Sequence, residues 1–320
     1  MANVPGIETE TKPVGAGHLP IPTSVQRWQI LWPYAVALVA IHLLALLAFV
    51  PWLFSWTGVI LALCGLYVFG TLGINLCYHR LLTHGSFSCP KWLEHCFAIL
   101  GVCCLQDTPG RWVAIHRFHH QHSDEQPDPH SPLVNFIWGH FGWLLVKNDE
   151  LHKITMYERY ARDILRDPFY LRLEKRLLWV WVYVASAVVF FLTGLGIGWL
   201  VTGEYMGGVQ FGLSLLVWGV LVRTVVVWHI TWSVNSITHL WGYRNYETGE
   251  NSRNNWFVAL VSNGEGWHNN HHADQRSAAH GHRWWEFDVT YITIRMLRFF
   301  GLARDVVMPT VKLPEPRPTS

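Results

Sequence analysis

The chain has 320 residues, of which 51% are hydrophobic and only 14% charged, with 19 Trp and a formal net charge of +2. So little charge argues against a water-soluble globular domain, and a surplus of two is too small to recruit nucleic acid. The composition points to a protein embedded in membrane lipid.

In chain order, residues 1–29 carry Pro5, Gly6, Pro13, Gly15, Gly17, Pro20 and Pro22 and read as a disordered tail. A membrane domain follows over 30–306, and 307–320, with Pro309, Pro314, Pro316 and Pro318, reads as a second, Pro-rich tail. Four stretches free or nearly free of charge, about 30–54, 57–77, 177–201 and 209–232, each come close to the ~20 residues that cross a bilayer. Short turns at 51–56 and 202–208 join them in pairs, so the expected fold is all-α, with four transmembrane helices in two hairpins. Those turns hold no Lys or Arg, whereas 78–176 holds twelve and the stretch after 233 holds nine. By the positive-inside rule both termini and both long segments are cytosolic. Trp92–Leu105 is apolar but too short to span, and reads as an interfacial or buried helix. Leu151–Arg176 is charge-rich and reads as helix at the membrane surface. The six Cys (64, 77, 89, 96, 103, 104) form no CxxC pair and read as reduced, small buried hydrophobes.

The chemistry sits in the histidines. His268, His271 and His272 are spaced i, i+3 and i+4, which brings them to one face of a helix, and His116, His119 and His120 repeat the pattern. His79 with His84, and Asn235 with His239, add two looser motifs at the cytosolic ends of spans two and four. Neutral imidazole suits iron, zinc, copper or nickel, and nine such ligands are too many for one ion, so a two-metal centre is expected. Asp124, Asp128 and Glu265 are candidates to orient ligand rings through their second nitrogens. The other ten histidines read as structural. His42, inside span one, is expected to hydrogen-bond a neighbouring helix, and Arg223, inside span four, to snorkel or pair.

His79–His84, His116–His120, Asn235–Gly242 and Glu265–His272, with His122–Pro132 and His140–Leu145 between them, resemble the histidine boxes of the integral-membrane fatty acyl desaturases, in particular the stearoyl-CoA desaturase-like Δ9 group. The likeness runs from about residue 70 to 300, and NSITHLWGYRNYETGENSRNNW most resembles the bacterial and cyanobacterial acyl-lipid Δ9 enzymes. It implies a four-helix cone in a bacterial inner membrane, with a cytosolic helical cap holding two Fe2+ ions. Carried onto this chain, one iron takes His79, His116, His120, His268 and His272, and the other takes His84, His119, His239 and His271, with a water on Asn235. In each HxxHH the outer pair then shares a metal and the middle ring reaches the other. The implied reaction uses O2 to place a cis double bond in a saturated acyl chain. No HPGG motif is present at either end, which implies a separate electron donor, a ferredoxin or cytochrome b5-type protein.

Gln106 and Trp112 match the family beside the acyl tunnel, and Tyr67 or Phe69 of span two is expected to stop the chain. Animal acyl-CoA members carry Arg-Asp where this chain has Ala114-Ile115, which favours an acyl-lipid over an acyl-CoA substrate. Ala273-Asp274-Gln275 departs from the family's Ala-Phe-Pro. Two other functions fit parts of this pattern. Hydroxylation or acetylenic bond formation on the same centre differs only in product, and a membrane metal transporter or sensor would want ionisable groups along spans that are nearly bare here.

Overall fold

The computed structural model describes residues 18–313. Four helices are long and apolar enough to cross a membrane: α1 (Trp32–Phe49), α2 (Trp56–Thr83), and, after shorter elements, Leu178–Thr202 and Tyr205–His239. Between them lie α3 (Lys91–Val102) and α4 (Pro109–His122). The two later spans are α5 and α6, and α7 (Trp256–Val261), α8 (His268–Ala273) and α9 (Val289–Phe299) follow. The spans of α1 and α5 bury few residues and turn Val36, Val39, Leu43, Val188 and Leu192 outward, as lipid-facing helices do. α2 and α6 continue past the expected span ends near 77 and 232, to Thr83 and His239. Hydropathy marks where lipid ends, while the backbone hydrogen bonds of a helix run on into the protein above it. These two overhangs carry His79 and His239 beyond the apolar segments.

α5 and α6 pack as an antiparallel hairpin along a glycine seam, where a Cβ on Gly194 would stand 2.7 Å from Gly212 Cα and one on Gly198 would stand 2.8 Å from Gly207 O. Only small residues let two helices approach so closely. The first pair departs from the expectation. α1 and α2 are joined by a short connection, yet α1 lies along α6. His42 Nε2 is 3.1 Å from His229 Nε2 on α6, and His229 Nδ1 is 3.0 Å from His140 Nε2. Arg223 neither snorkels nor pairs with an acid: it is fully buried, stacks 3.9 Å over the Phe69 ring and donates to the Cys103 carbonyl at 2.8 Å.

The N-terminal segment is ordered where a tail is expected. Residues 1–17 lie outside the described residues, but β1 (Val25–Ile30) pairs antiparallel with β2 (Val146–Asn148), and Val25 packs with Val134 and Trp138. Alternation was hidden there because the strand's other side chains stay outside the core. At the other end Val307 N donates to Ser86 O at 2.8 Å, and Thr310 N donates to Asp274 Oδ2 at 2.6 Å. The unusual Asp274 therefore anchors the segment leading to the tail, whose last seven residues are also outside the described ones. α3 packs on α2 and does not span, as expected. Residues 151–176 break into three short helices, the last starting at Pro168. All six cysteines are free; Cys77, Cys103 and Cys104 are buried as expected, whereas Cys64 and Cys96 are exposed.

Candidate metal centre

Four helices bring the nine boxed histidines together. The end of α2 supplies His79, with His84 just past it; α4 supplies His116, His119 and His120; the end of α6 supplies His239; and α8 supplies His268, His271 and His272. α4 is opened by a Thr108 cap, with its hydroxyl accepting from Arg111 N and Pro109 in the first turn. The rings form two groups: His79, His84, His116, His120 and His271, and His119, His239, His268 and His272, with the candidate ligand atoms of each group within 4.8 Å of one another.

This corrects the ligand division implied by resemblance. Each outer pair does stay together and its middle ring does go to the other group, but the two outer pairs belong to different groups, and His84 sides with His79. α4 and α8 face each other, so the outer pair of each meets the middle ring of its opposite: His271 Nε2 lies 3.0 Å from His120 Nε2. His79 and His84 are kept together because the last turn of α2 is a wide one, with His84 N donating five residues back to His79 O at 3.2 Å.

Hydrogen bonding alone does not account for the first group. His271 Nε2 is 3.1 Å from His79 Nε2 and 3.0 Å from His120 Nε2, which is itself 3.0 Å from His116 Nε2. Each ring nitrogen has one hydrogen or one lone pair to offer, so it cannot serve two such contacts well. His84 Nε2 is buried with no partner at all. Two nitrogens each ~2.1 Å from one ion and at right angles stand about 3.0 Å apart. The second group repeats the spacing, with His268 Nε2 3.1 Å from both His239 Nε2 and His272 Nε2. The residues therefore fit two metal ions.

The second ring nitrogens meet carboxylates. His79 Nδ1 is 2.6 Å from Glu265 Oε2, His239 Nδ1 is 2.8 Å from Asp124 Oδ2, and His119 Nδ1 is 3.0 Å from Asp128. All three carboxylates named from sequence thus touch a boxed ring. Glu265 and Asp288 also clamp the fully buried Arg80, at 2.8 and 2.9 Å. Sequence reading missed Glu250, which stands 3.6 Å from His272 Nδ1 and 3.8 Å from His239 Nδ1, and His280, whose Nδ1 is 3.2 Å from Glu265. No spacing rule singles out either, since both reach the rings only by tertiary folding of loops.

Burial, and then the neighbouring rings, push His116, His120, His268, His271 and His272 well below the ordinary histidine value, which favours the neutral form that binds metal. For Glu265 burial acts upward, but Arg80, then His280 and His79, outweigh it and hold the carboxyl well below its usual range.

A cavity of about 580 Å³, within the ordinary range for ligand sites, opens beside the first group. Its walls include Tyr34, Leu38, Ile74, Trp143 and Trp228, and His79, His116, Asn235 and Glu265 line its metal end. Gln106 and Trp112 line it too, with Gln106 Nε2 donating to Thr231 Oγ1 at 2.9 Å. Tyr67 and Phe69 do not. Tyr67 turns to Thr293 on α9, 2.8 Å away, and Phe69 lies under Arg223, so the wall contributed by α2 comes one to two turns later, at Ile74 and Asn75.

Residues 51–291 match the family model described as fatty acid desaturase. The sn-1 stearoyl-lipid 9-desaturase of Anabaena variabilis is 42% identical over 284 residues, covering 89% of this chain and 96% of that one. The sn-2 palmitoyl-lipid 9-desaturase of Nostoc sp. (strain 36) is 40% identical over 87% of this chain and 91% of its own. An acyl-CoA 5-desaturase of Anemone leveillei is also 40% identical, over 90% of this chain and 83% of its own.

Proposed function

The chain belongs to the fatty acid desaturase family, and from that premise we propose that it places a cis double bond at carbon 9 of a saturated acyl chain carried by a membrane glycerolipid. The observation that carries this reading is the pair of imidazole groups, one of which opens through His79 and His116 onto a largely apolar cavity. A saturated methylene has no acidic proton and no leaving group, so acid-base side chains cannot attack it. Iron, when bound by His79, His84, His116, His120 and His271 and by His119, His239, His268 and His272, would supply the redox chemistry for O2. Overall, one saturated chain, O2, two electrons and two protons give the alkene and two waters.

What the protein's own residues do follows from their contacts. Asp124, Asp128 and Glu265 accept from the Nδ1–H groups and so leave the Nε2 lone pairs of His239, His119 and His79 free to face inward. Asn235, on the cavity wall, is the residue that would hold a water for the second metal. The apolar walls keep other water out, and the hydrogen-bonded Gln106 and Thr231 fix the wall past which the chain must run. Ala114 and Ile115, both buried, offer no charge to a CoA headgroup, which supports a lipid-linked substrate. The basic segments support a cytosolic location for both termini and the histidine groups, where a ferredoxin or cytochrome b5-type donor delivers electrons, with the four spans anchoring the protein in the inner membrane.

The test is the fatty-acid profile of a desaturase-deficient host expressing the chain with a ferredoxin system, with double bonds located by mass spectrometry. A new bond at carbon 9, found first in glycerolipids, is expected. Bonds appearing first in acyl-CoA, or hydroxylated or triple-bonded products, would refute the reading in headgroup or in reaction.

A further inference from the structure

The two groups differ in what stands behind their rings. In the five-histidine group only His79 has a carboxylate on its second nitrogen, and that carboxylate, Glu265, is shared with the Arg80 guanidinium. The Nδ1 atoms of His120 and His271 have no partner. In the four-histidine group two rings are hydrogen-bonded to carboxylates, His119 to Asp128 and His239 to Asp124, and a third carboxylate, Glu250, stands 3.6 Å from His272 Nδ1, while His268 Nδ1 has no partner. Among the described residues no Lys or Arg nitrogen lies within the 4.0 Å ion-pair distance of Asp124, Asp128 or Glu250. Their other partners are neutral, such as the Ser131 hydroxyl on Asp124 and the Ser252 hydroxyl and backbone N on Glu250.

A carboxylate behind an imidazole raises the basicity of the ligating nitrogen and fixes its tautomer, and removing one such partner typically lowers metal affinity 10–100-fold. Three anions without cationic partners also attract a divalent ion through a buried, weakly screening medium, whereas at the other group Arg80 offsets one of the two carboxylates, Glu265 and Asp288, that clamp it and leaves a single net negative charge. The extra neutral ring of the five-histidine group adds a ligand but no charge. Resting on the two-metal reading above, we infer that the four-histidine group, His119, His239, His268 and His272, takes up metal first and holds it more tightly, with Glu250 as a positioning residue for His239 and His272. The five-histidine group, which lines the cavity through His79 and His116, fills second and is the exchangeable position.

The experiment is a Co2+ titration of the metal-stripped, detergent-purified full chain, following visible absorption and bound cobalt together. Two binding phases separated by at least about tenfold are expected. Asp128→Asn, which alters a hydrogen-bonded partner, should weaken the tight phase 10–100-fold, Glu250→Gln, which removes a charge 3.6 Å from His272, should weaken it about tenfold, and both should leave the weak phase, while His84→Ala should abolish only the weak phase. Melting of each metal-free variant is compared with the parent, and Glu250→Gln carries the test if Asp128→Asn fails to fold, because Glu250 sits on a loop. Coincident phases, or loss of the tight phase in His84→Ala alone, would overturn the inference. Saturation at one Co2+ or none would instead overturn the two-metal reading on which it rests.

Discussion

Gly266, two residues before the first histidine of α8, tests how tightly the centre depends on backbone position. A Cβ there would stand 2.0 Å from Ala259 N and 2.6 Å from Ala259 Cα, where ordinary contact begins at 3.4 Å. The obstacle is the backbone of α7, not a flexible side chain, and Gly266 is tied on both sides, with its N donating to Ser262 Oγ at 3.1 Å and its O accepting from Asn255 N at 2.8 Å. Gly266→Ala must therefore move α8 relative to α7 by about 1 Å, and a misplacement of that size at a reacting centre costs about 10²-fold in rate. The overpacking itself destabilises by about 1–3 kcal/mol. Gly196→Ala is the matched control, since nothing lies within 4 Å of its Cβ position on α5, and a helical Gly→Ala change there should be neutral or stabilise by up to about 1 kcal/mol. Both are read as double-bond yield per expressed protein in the deficient host, with melting temperature in detergent. A Gly266→Ala enzyme with parental yield would refute the claim that backbone placement sets the ligand geometry.

Other expectations follow from the same contacts. His119→Ala should abolish product formation, whereas His18→Ala, at an exposed site outside both groups, should not; an active His119→Ala enzyme would count against two metals. Tyr67→Ala should leave product chain length unchanged, while Leu38→Trp, which fills part of the cavity, should disfavour the longest chains about tenfold. Acid stability should depend on Glu265. Its folded carboxyl is depressed, so its contribution is present above the unfolded value near ~4.3 and fades as pH falls below it, because the unfolded chain takes up the proton first. Melting followed from pH 7 to 3 should drop below about pH 4.3, and Glu265→Gln, lower throughout, should lose that part of the pH dependence; parallel curves for the two would contradict the assignment.

Much of this centre is legible in one dimension because helical spacing is local. The HxxHH boxes fix which rings share a face, and the rule that the outer pair stays together holds in the structure. Which outer pair meets which middle ring depends on how α4 and α8 face each other, and that is not written in either box. The same limit explains the tunnel. Span two does wall the cavity, but the register of wall residues depends on the rotation of α2 against α6 and α9, which sent Tyr67 and Phe69 away and brought Ile74 and Asn75 in. Span ends were read early because lipid and helix end at different places on α2 and α6.

The crossed arrangement of α4 and α8 makes each group a gauge of helix phase. Each helix gives two rings to one group and one ring to the other, so turning either helix by a single residue, ~100°, would spoil both groups together. α2 and α6 contribute their last-turn rings to opposite groups, His79 to one and His239 to the other. These same helices carry Ile74, Trp228 and Thr231 of the cavity wall. Ions seated in both groups would thus lock the rotation of the helices that shape the acyl channel, and the depth at which a chain stops would be set by the same alignment that makes the metals fit.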